Sequence, residues 1–186
     1  MQTIEATTLP AGAPVQSVPV TLDLLTRMRT EELKALYAKG RVPDSLAVLD
    51  GTPRGRMLAV AGPPDRGLTS DLIRAFAGGR VFPWDGKSFQ SETASTGRGI
   101  NRVIVAGDLF PFSTFVGPSE VDGAPAVILD YDKPQNPALI RMVHDEIREV
   151  APGLFMGPAM RKTKGRPALV LHFAIDATDR AAGARA

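Results

Sequence analysis

Apolar residues along this chain follow two periods. Leu33, Leu36 and Tyr37 recur at helical spacing after Thr30, Glu31 and Glu32. A hydroxyl cap and an acidic first turn suit a helix start there, and Gly40 is a natural stop. A short helical turn is expected just before it, over 21–29. Leu72, Ile73 and Phe76 predict a second helix over 69–77, capped by Thr69 or Ser70 and ended by Gly78-Gly79. Residues 51–61 then read as a first strand. From 80 onward the chain reads as strand and turn in alternation, with strands over 80–84, 87–92, 99–106, 110–116 and 124–131. The breakers include Asp85-Gly86, Thr96-Gly97, Gly107-Asp108, Gly117-Pro118 and Asp122-Gly123. Leu139, Ile140, Val143, Ile147 and Val150 predict an inserted helix over 136–150, with Asn136 as N-cap, Pro137 at its first position and Pro152-Gly153 beyond its end. Strands over 154–161 and 167–176 close the pattern as a hairpin.

About seven strands, two helices ahead of most of them and one inserted helix make a mainly β, β-rich α+β chain. A sheet of that size is expected to curl into an antiparallel barrel or partial barrel, which protects its edges. The expected organisation is a flexible N-terminal arm over 1–20, a single barrel-like domain over 21–176 and a frayed tail over 177–186. The chain's 186 residues suit one domain. With 18 glycines and 16 prolines, they exclude a bundle of long helices.

Charge narrows the partners. Lys and Arg number 22 against 20 Asp and Glu, a formal excess of +2. The densest basic cluster, Arg161, Lys162, Lys164 and Arg166, brackets a turn at Lys164-Gly165 and reads as a solvated hairpin tip, so no nucleic acid is expected. Cysteine is absent, which removes disulfides, thiolate metal sites and cysteine nucleophiles. With two histidines and no H-E-x-x-H motif, no metal centre or other cofactor is expected. The first residues lack a basic start and an apolar run, and no stretch is long and apolar enough to span a membrane. A cytoplasmic location is therefore the expectation.

Candidate chemistry sits on the strands. In 167–176, His172 shares a face with Ala168, Val170 and Ala174, while Leu169, Leu171, Phe173 and Ile175 make the other. A His among small side chains is either a core or edge group or the polar atom of a pocket. Tyr131, in Asp130-Tyr131-Asp132, could donate to an oxyanion; a plain turn before Pro134 is the other reading. Asn101 and Arg102 alternate with Val103, Val105 and their neighbours. Trp84, the only Trp, reads as a core or barrel-mouth anchor ahead of a hairpin at Asp85-Gly86. Lys87, Arg98 and Arg102 meet an anionic group only if their strands are neighbours; otherwise they face solvent. His144, Asp145, Arg141 and Arg148 read as an ion-pair network on the surface of the inserted helix.

The helix, the first strand GTPRGRML, the run of antiparallel strands, the inserted helix and the final strand LVLHFAI together resemble the calycin superfamily in layout over about 30–176. That superfamily includes the lipocalins and fatty-acid-binding proteins. The resemblance implies a barrel that binds a small hydrophobic or amphipathic molecule. The expected ligand-binding residues are Asn101, Val103, Val105, Phe112, Phe115, Met156, Val170 and Trp84. An alternative is a cofactor-independent enzyme of isomerase, cyclase or lyase type in the same pocket. His172 would be its acid or base, and Tyr131 and Arg102 would hold an oxyanion. A third is an interaction protein docking through the N-terminal arm. A homodimer is also compatible with the chain.

Overall fold

A computed structural model describes residues 19–60, 84–103 and 107–178. Residues 1–18 of the expected arm, the helix over 69–77, most of the strand over 80–84 and the end of the tail lie outside the described residues. Eight antiparallel strands run in simple meander order and close into a barrel. They are β1 (Arg54–Val60), β2 (Trp84–Ser91), β3 (Thr96–Val103), β4 (Gly107–Pro118), β5 (Pro125–Asp130), β6 (Val143–Ala151), β7 (Leu154–Arg161) and β8 (Ala168–Asp176). β8 closes the ring on β1, with Gly55 opposite Ile175 and Met57 opposite Phe173. Closure leaves every strand with two neighbours, so the expected β-rich barrel is closed rather than partial.

Two short helices precede the barrel, α1 (Leu22–Leu25) and α2 (Thr30–Lys39). Thr21 caps α1 through its hydroxyl. Thr30 is the first residue of α2 rather than its cap: Arg29 holds the cap position, and Glu32 reaches back to its backbone N–H at 2.7 Å. Leu25, Leu33 and Tyr37 from these helices pack on Leu154, Met156 and Ala174, which lie on the outer face of β7 and β8. A larger apolar cluster fills the barrel, including Phe89, Phe112, Leu129, Ile147, Phe155 and Ile175. A 3-10 turn at Leu46–Leu49 packs Leu46 and Leu49 into the same cluster.

Two expectations are corrected. The helix over 136–150 is a four-residue turn, α3 (Ala138–Arg141), followed by strand β6. Asn136 is not its cap: its amide donates to the carbonyls of Pro111 and Tyr131, both at 2.8 Å. The helical period at 139–150 was a coincidence of a strand buried on both faces. Val143, Asp145 and Ile147 face the barrel, while Glu146 and Arg148 face outward beneath other segments and are equally buried. A strand covered on both sides shows no clean alternation, and β-branched Val143, Ile147 and Val150 favour it. The Asp85-Gly86 hairpin is likewise absent. β2 runs through it, and the register against β3 shifts between Trp84 and Gly86. Gly86 sits at φ 127, a conformation open to glycine, which makes the site a bulge instead of a turn.

Gly157 on β7 shows how tightly the wall is built. A Cβ placed there would lie 1.8 Å from the backbone carbonyl oxygen of Glu146 on β6. Backbone cannot swing aside as a flexible side chain does. Gly157→Ala is therefore expected to destabilise the protein by about 3 kcal/mol or more. Gly165→Ala, at a position with nothing within 4 Å, should change stability by less than about 0.5 kcal/mol. Urea unfolding midpoints of the two variants check the contrast.

Candidate functional site

The described interior carries one polar cluster, and it is built from four strands or their ends. Lys87 on β2 lies directly opposite Asn101 on β3. Asp145 on β6 pairs with Leu129 on β5, and Tyr131 follows just beyond the end of β5 on the same inward face. All four are at most 3% exposed. Lys87 Nζ donates to Asn101 Oδ1 at 2.8 Å, to the Tyr131 hydroxyl at 2.5 Å and to Asp145 Oδ2 at 3.1 Å. The Tyr131 hydroxyl donates to Asp145 Oδ2 at 3.0 Å. The Asn101 amide donates to the Tyr131 hydroxyl at 3.2 Å and to the Phe110 carbonyl at 3.4 Å. Phe110 sits at φ 59, near the register shift between β3 and β4 at Ile100 and Asn101. A non-glycine residue rarely adopts that conformation, so the backbone here is held away from its preference.

Every donor of this cluster is in use. The ammonium has three protons, the phenol one and the amide two, and each has a partner. One acceptor is left over: Asp145 Oδ1 is buried and accepts no hydrogen bond.

Aromatic rings surround the ammonium. Lys87 Nζ lies 5.1–5.5 Å from the ring centroids of Trp84, Phe112, Tyr131 and Phe173. Such faces attract a cation. Burial pulls the Lys87 amine below the ordinary lysine range, against the opposing pull of Asp145. Burial, with Asp145 beside it, pushes the Tyr131 phenol well above 10.0. The phenol is therefore a donor at neutral pH.

Beside the cluster lies a small cavity that is open at its mouth. Lys87, Asn101 and Asp145 supply its polar wall. Met57, Trp84, Val143, Ala159, Met160, Val170, Leu171 and Phe173 supply the rest. Trp84 meets Phe173 edge to face at a centroid distance of 6.0 Å.

Of the residues singled out from sequence, Trp84, Asn101 and Val170 line the cavity. Tyr131 stands behind it in the polar cluster, with Phe112 packed on its ring at 5.2 Å. The others lie elsewhere. Phe115 is on the outer face of β4 and 39% exposed. Met156 packs beneath the N-terminal helices. Arg102 points out of the barrel, bonding the carbonyls of Pro53 and Asp85 and pairing with the Asp85 carboxylate at 3.0 Å. The Val103 side chain and all of Val105 lie outside the described residues.

His172 is buried on the helix side of β8, between Leu171 and Phe173, which face the cavity. An acid–base role for it inside the barrel has no geometric basis. Its Nδ1 has no partner. Burial, with Lys34 of α2 adding to it and Glu31 opposing, pushes the imidazole down to about 4.

Met57, Lys87, Val143, Asp145, Ala159, Met160, Leu171 and Phe173 are the pocket residues that sequence reasoning did not place there. Asp145 was visible in one respect: at strand period it shares a face with Val143 and Ile147, and a carboxylate on an apolar face is a signal. On the other face of β6, Glu146 accepts from Tyr37 at 2.7 Å, Ser119 at 2.5 Å and the Glu120 N–H at 2.7 Å, and meets His144 at 2.9 Å. Burial raises its carboxyl, but these partners, His144 foremost, hold it below the ordinary range. Arg148 makes five hydrogen bonds, two of them to the Asp122 carboxylate, and stacks on Tyr37 at 4.3 Å. These outer groups fasten α2 and the β4–β5 turn to the wall. Among the described residues, no three His, Asp or Glu side chains are grouped to hold a metal ion.

No family model matches the chain, and no curated protein matches it. Among solved structures it is similar to a protein from Thermomonospora curvata, at 16% identity and a TM-score of 0.47 over 83% of this chain and 91% of that one.

Two outcomes test this account. Lys87→Met leaves the Asp145 carboxylate buried without its cation and should cost about 3–5 kcal/mol. Adding Asp145→Leu should restore about 2 kcal/mol or more, because no lone charge then remains. Chemical denaturation of the single and double variants reads the difference. His172 is pushed down in the folded state, so the unfolded chain takes up the proton first. Stability should therefore fall as pH drops from about 6.5 towards 4, and His172→Gln should flatten that slope in a series of melting curves.

Proposed function

We propose that the barrel is a receptor for one small, largely apolar molecule held in the cavity beside Lys87, Asn101 and Asp145. The observation that carries this reading is a buried, hydrogen-bonded polar cluster set into the wall of an otherwise apolar cavity. Apolar walls supply affinity, and a few fixed polar atoms supply orientation. Lys87, Asn101 and Asp145 are held on strands and Tyr131 just past the end of another, so the geometry is preorganised. The closed eight-stranded meander is also in keeping with the calycin-like layout and with the small-molecule binding that the layout implies. Fold likeness alone would not assign a function; the placement of the polar wall is the stronger argument.

The pocket can be filled from within. Ala159 and Val170 line it from β7 and β8, and Ala159→Phe or Val170→Phe should occupy the space a ligand needs. N-phenyl-1-naphthylamine, a neutral fluorophore that brightens in apolar surroundings, should bind the wild-type protein with one-to-one stoichiometry. Either substitution should weaken it at least tenfold while circular dichroism stays unchanged. Equal binding by the wild-type protein and both folded variants would place the dye elsewhere and end this reading.

A further inference from the structure

Arg161 belongs to the basic run around Lys164-Gly165, but it is not part of a solvated tip. It is the last residue of β7, paired with Val143 of β6 and Ala168 of β8. The wall continues past it, since the Lys162 N–H donates to the Met142 carbonyl at 2.7 Å. Directly paired residues on neighbouring strands share a face, and so do alternate residues along one strand. Arg161 therefore stands on the same face as Val143 and Ala159, which both line the cavity, and next to Met160, which also lines it. The residue is half-buried and its Nε is buried outright. Its guanidinium nevertheless makes no hydrogen bond or ion pair with any described residue, and the two Nη groups keep accessible surface. We infer that Arg161 is an anion subsite at the rim of this cavity, and that the ligand is an amphipathic carboxylate, its apolar body inside and its carboxylate on the guanidinium. The inference rests on the reading of the barrel as a receptor and adds the class of ligand.

Geometry and charge both favour that occupant. Arg161 lies two residues beyond Ala159, about 7 Å farther along β7, so a short apolar chain reaches from the cavity wall to the rim. The N–H groups of a guanidinium match the two oxygens of a carboxylate, and one guanidinium balances one negative charge. The protein's own carboxylates at the end of β5 do not compete. Asp130 is taken by Lys162 at 2.7 Å and Asp132 by Arg141 at 2.6 Å. Lys87 does not draw the anion deeper, because its three N–H groups are held by Asn101, Tyr131 and Asp145. Lys164 and Arg166, both exposed just beyond β7, add positive charge that steers an anion to this end of the barrel. The same charges repel a cationic ligand. A neutral apolar molecule fits the walls but leaves the half-buried guanidinium without a partner.

Three ligands with one phenylalkyl body separate these cases: 4-phenylbutyrate, 4-phenylbutyramide and 4-phenylbutylamine, measured by calorimetry at pH 7 on the full chain. The carboxylate should bind at least about tenfold more tightly than the amide, as expected for a charge-assisted pair that the amide cannot form, and the amine should bind most weakly. Arg161→Gln should cut the preference for the carboxylate below about threefold, whereas Lys164→Gln, on the exposed turn, should leave it within about twofold. Because Arg161 bonds to no described residue, the Arg161→Gln protein should melt as the wild type does. Equal binding of the carboxylate and the amide to the wild-type protein would overturn the inference while leaving the receptor reading intact. A preference that survives Arg161→Gln, or that Lys164→Gln removes equally, would overturn it in favour of the general positive field of the rim. Tightest binding by the amine would overturn it outright. If none of the three binds although N-phenyl-1-naphthylamine does, the ligand class is wrong; if the dye fails as well, the receptor reading falls with it.

Discussion

Lys87 and Asp145 lie 3.1 Å apart inside a barrel whose other interior side chains are mainly apolar. Neither charge is tolerable there alone, since removing an ion from water costs several kcal/mol even after the surroundings relax. Their mutual attraction offsets that cost only if the remaining protons and lone pairs are also bonded. Asn101 and Tyr131 bond the remaining protons of Lys87, with Asp145 Oδ1 alone left without a partner, and their positions fix how four strands must register. A slip of one residue in β2 against β3 would turn Lys87 or Asn101 out of the barrel. The pair is thus a condition on the whole sheet as well as a site.

The same logic explains why β6 is polar on both faces. Asp145 faces inward, while Glu146 and Arg148 face outward beneath α2 and the β4–β5 turn. Each outward group is saturated: Arg148 uses all five of its N–H donors, and Glu146 accepts from Tyr37, Ser119 and a backbone N–H. The helices therefore attach through directed bonds as well as through the apolar contacts of Leu25 and Leu33. His172 is the exception under the helices, a buried imidazole with an unpartnered nitrogen that stays neutral because charging it there is unfavourable.

Much of the barrel was legible because its strands end on glycine and proline. The turns near Gly117-Pro118, Asp122-Gly123 and Pro152-Gly153 lie at strand ends, as their chemistry requires. Two elements were hidden for one reason. β6 carries apolar residues at helical spacing only because both its faces are covered, and coverage by α2 is a tertiary fact absent from any local window. β2 runs through Asp85-Gly86 because a bulge absorbs the glycine that would otherwise make a hairpin. The site was less legible than the fold. Of the residues expected to bind a ligand or hold an oxyanion, Trp84, Asn101, Val170, Tyr131 and Phe112 lie in or beside the barrel interior, each on an apolar-rich strand or just past its end. Lys87 was not among those expected, since a lysine is buried only where its partners are, and those come from three other segments of chain.

The composition of the cluster also determines its surplus. An ammonium brings three donors, a phenol one and an amide two, while a carboxylate can accept about four hydrogen bonds. The protons go to the hydroxyl, the amide oxygen, a carbonyl and Asp145 Oδ2, which takes two of them while Oδ1 takes none. One proton on each carboxylate oxygen would leave both bonded, so the orphaned Oδ1 follows from where the strands place the donors and not from a shortage of protons. The aim of Lys87 and Tyr131 at a single oxygen is thus a product of strand register, as the pairing of the two charges is.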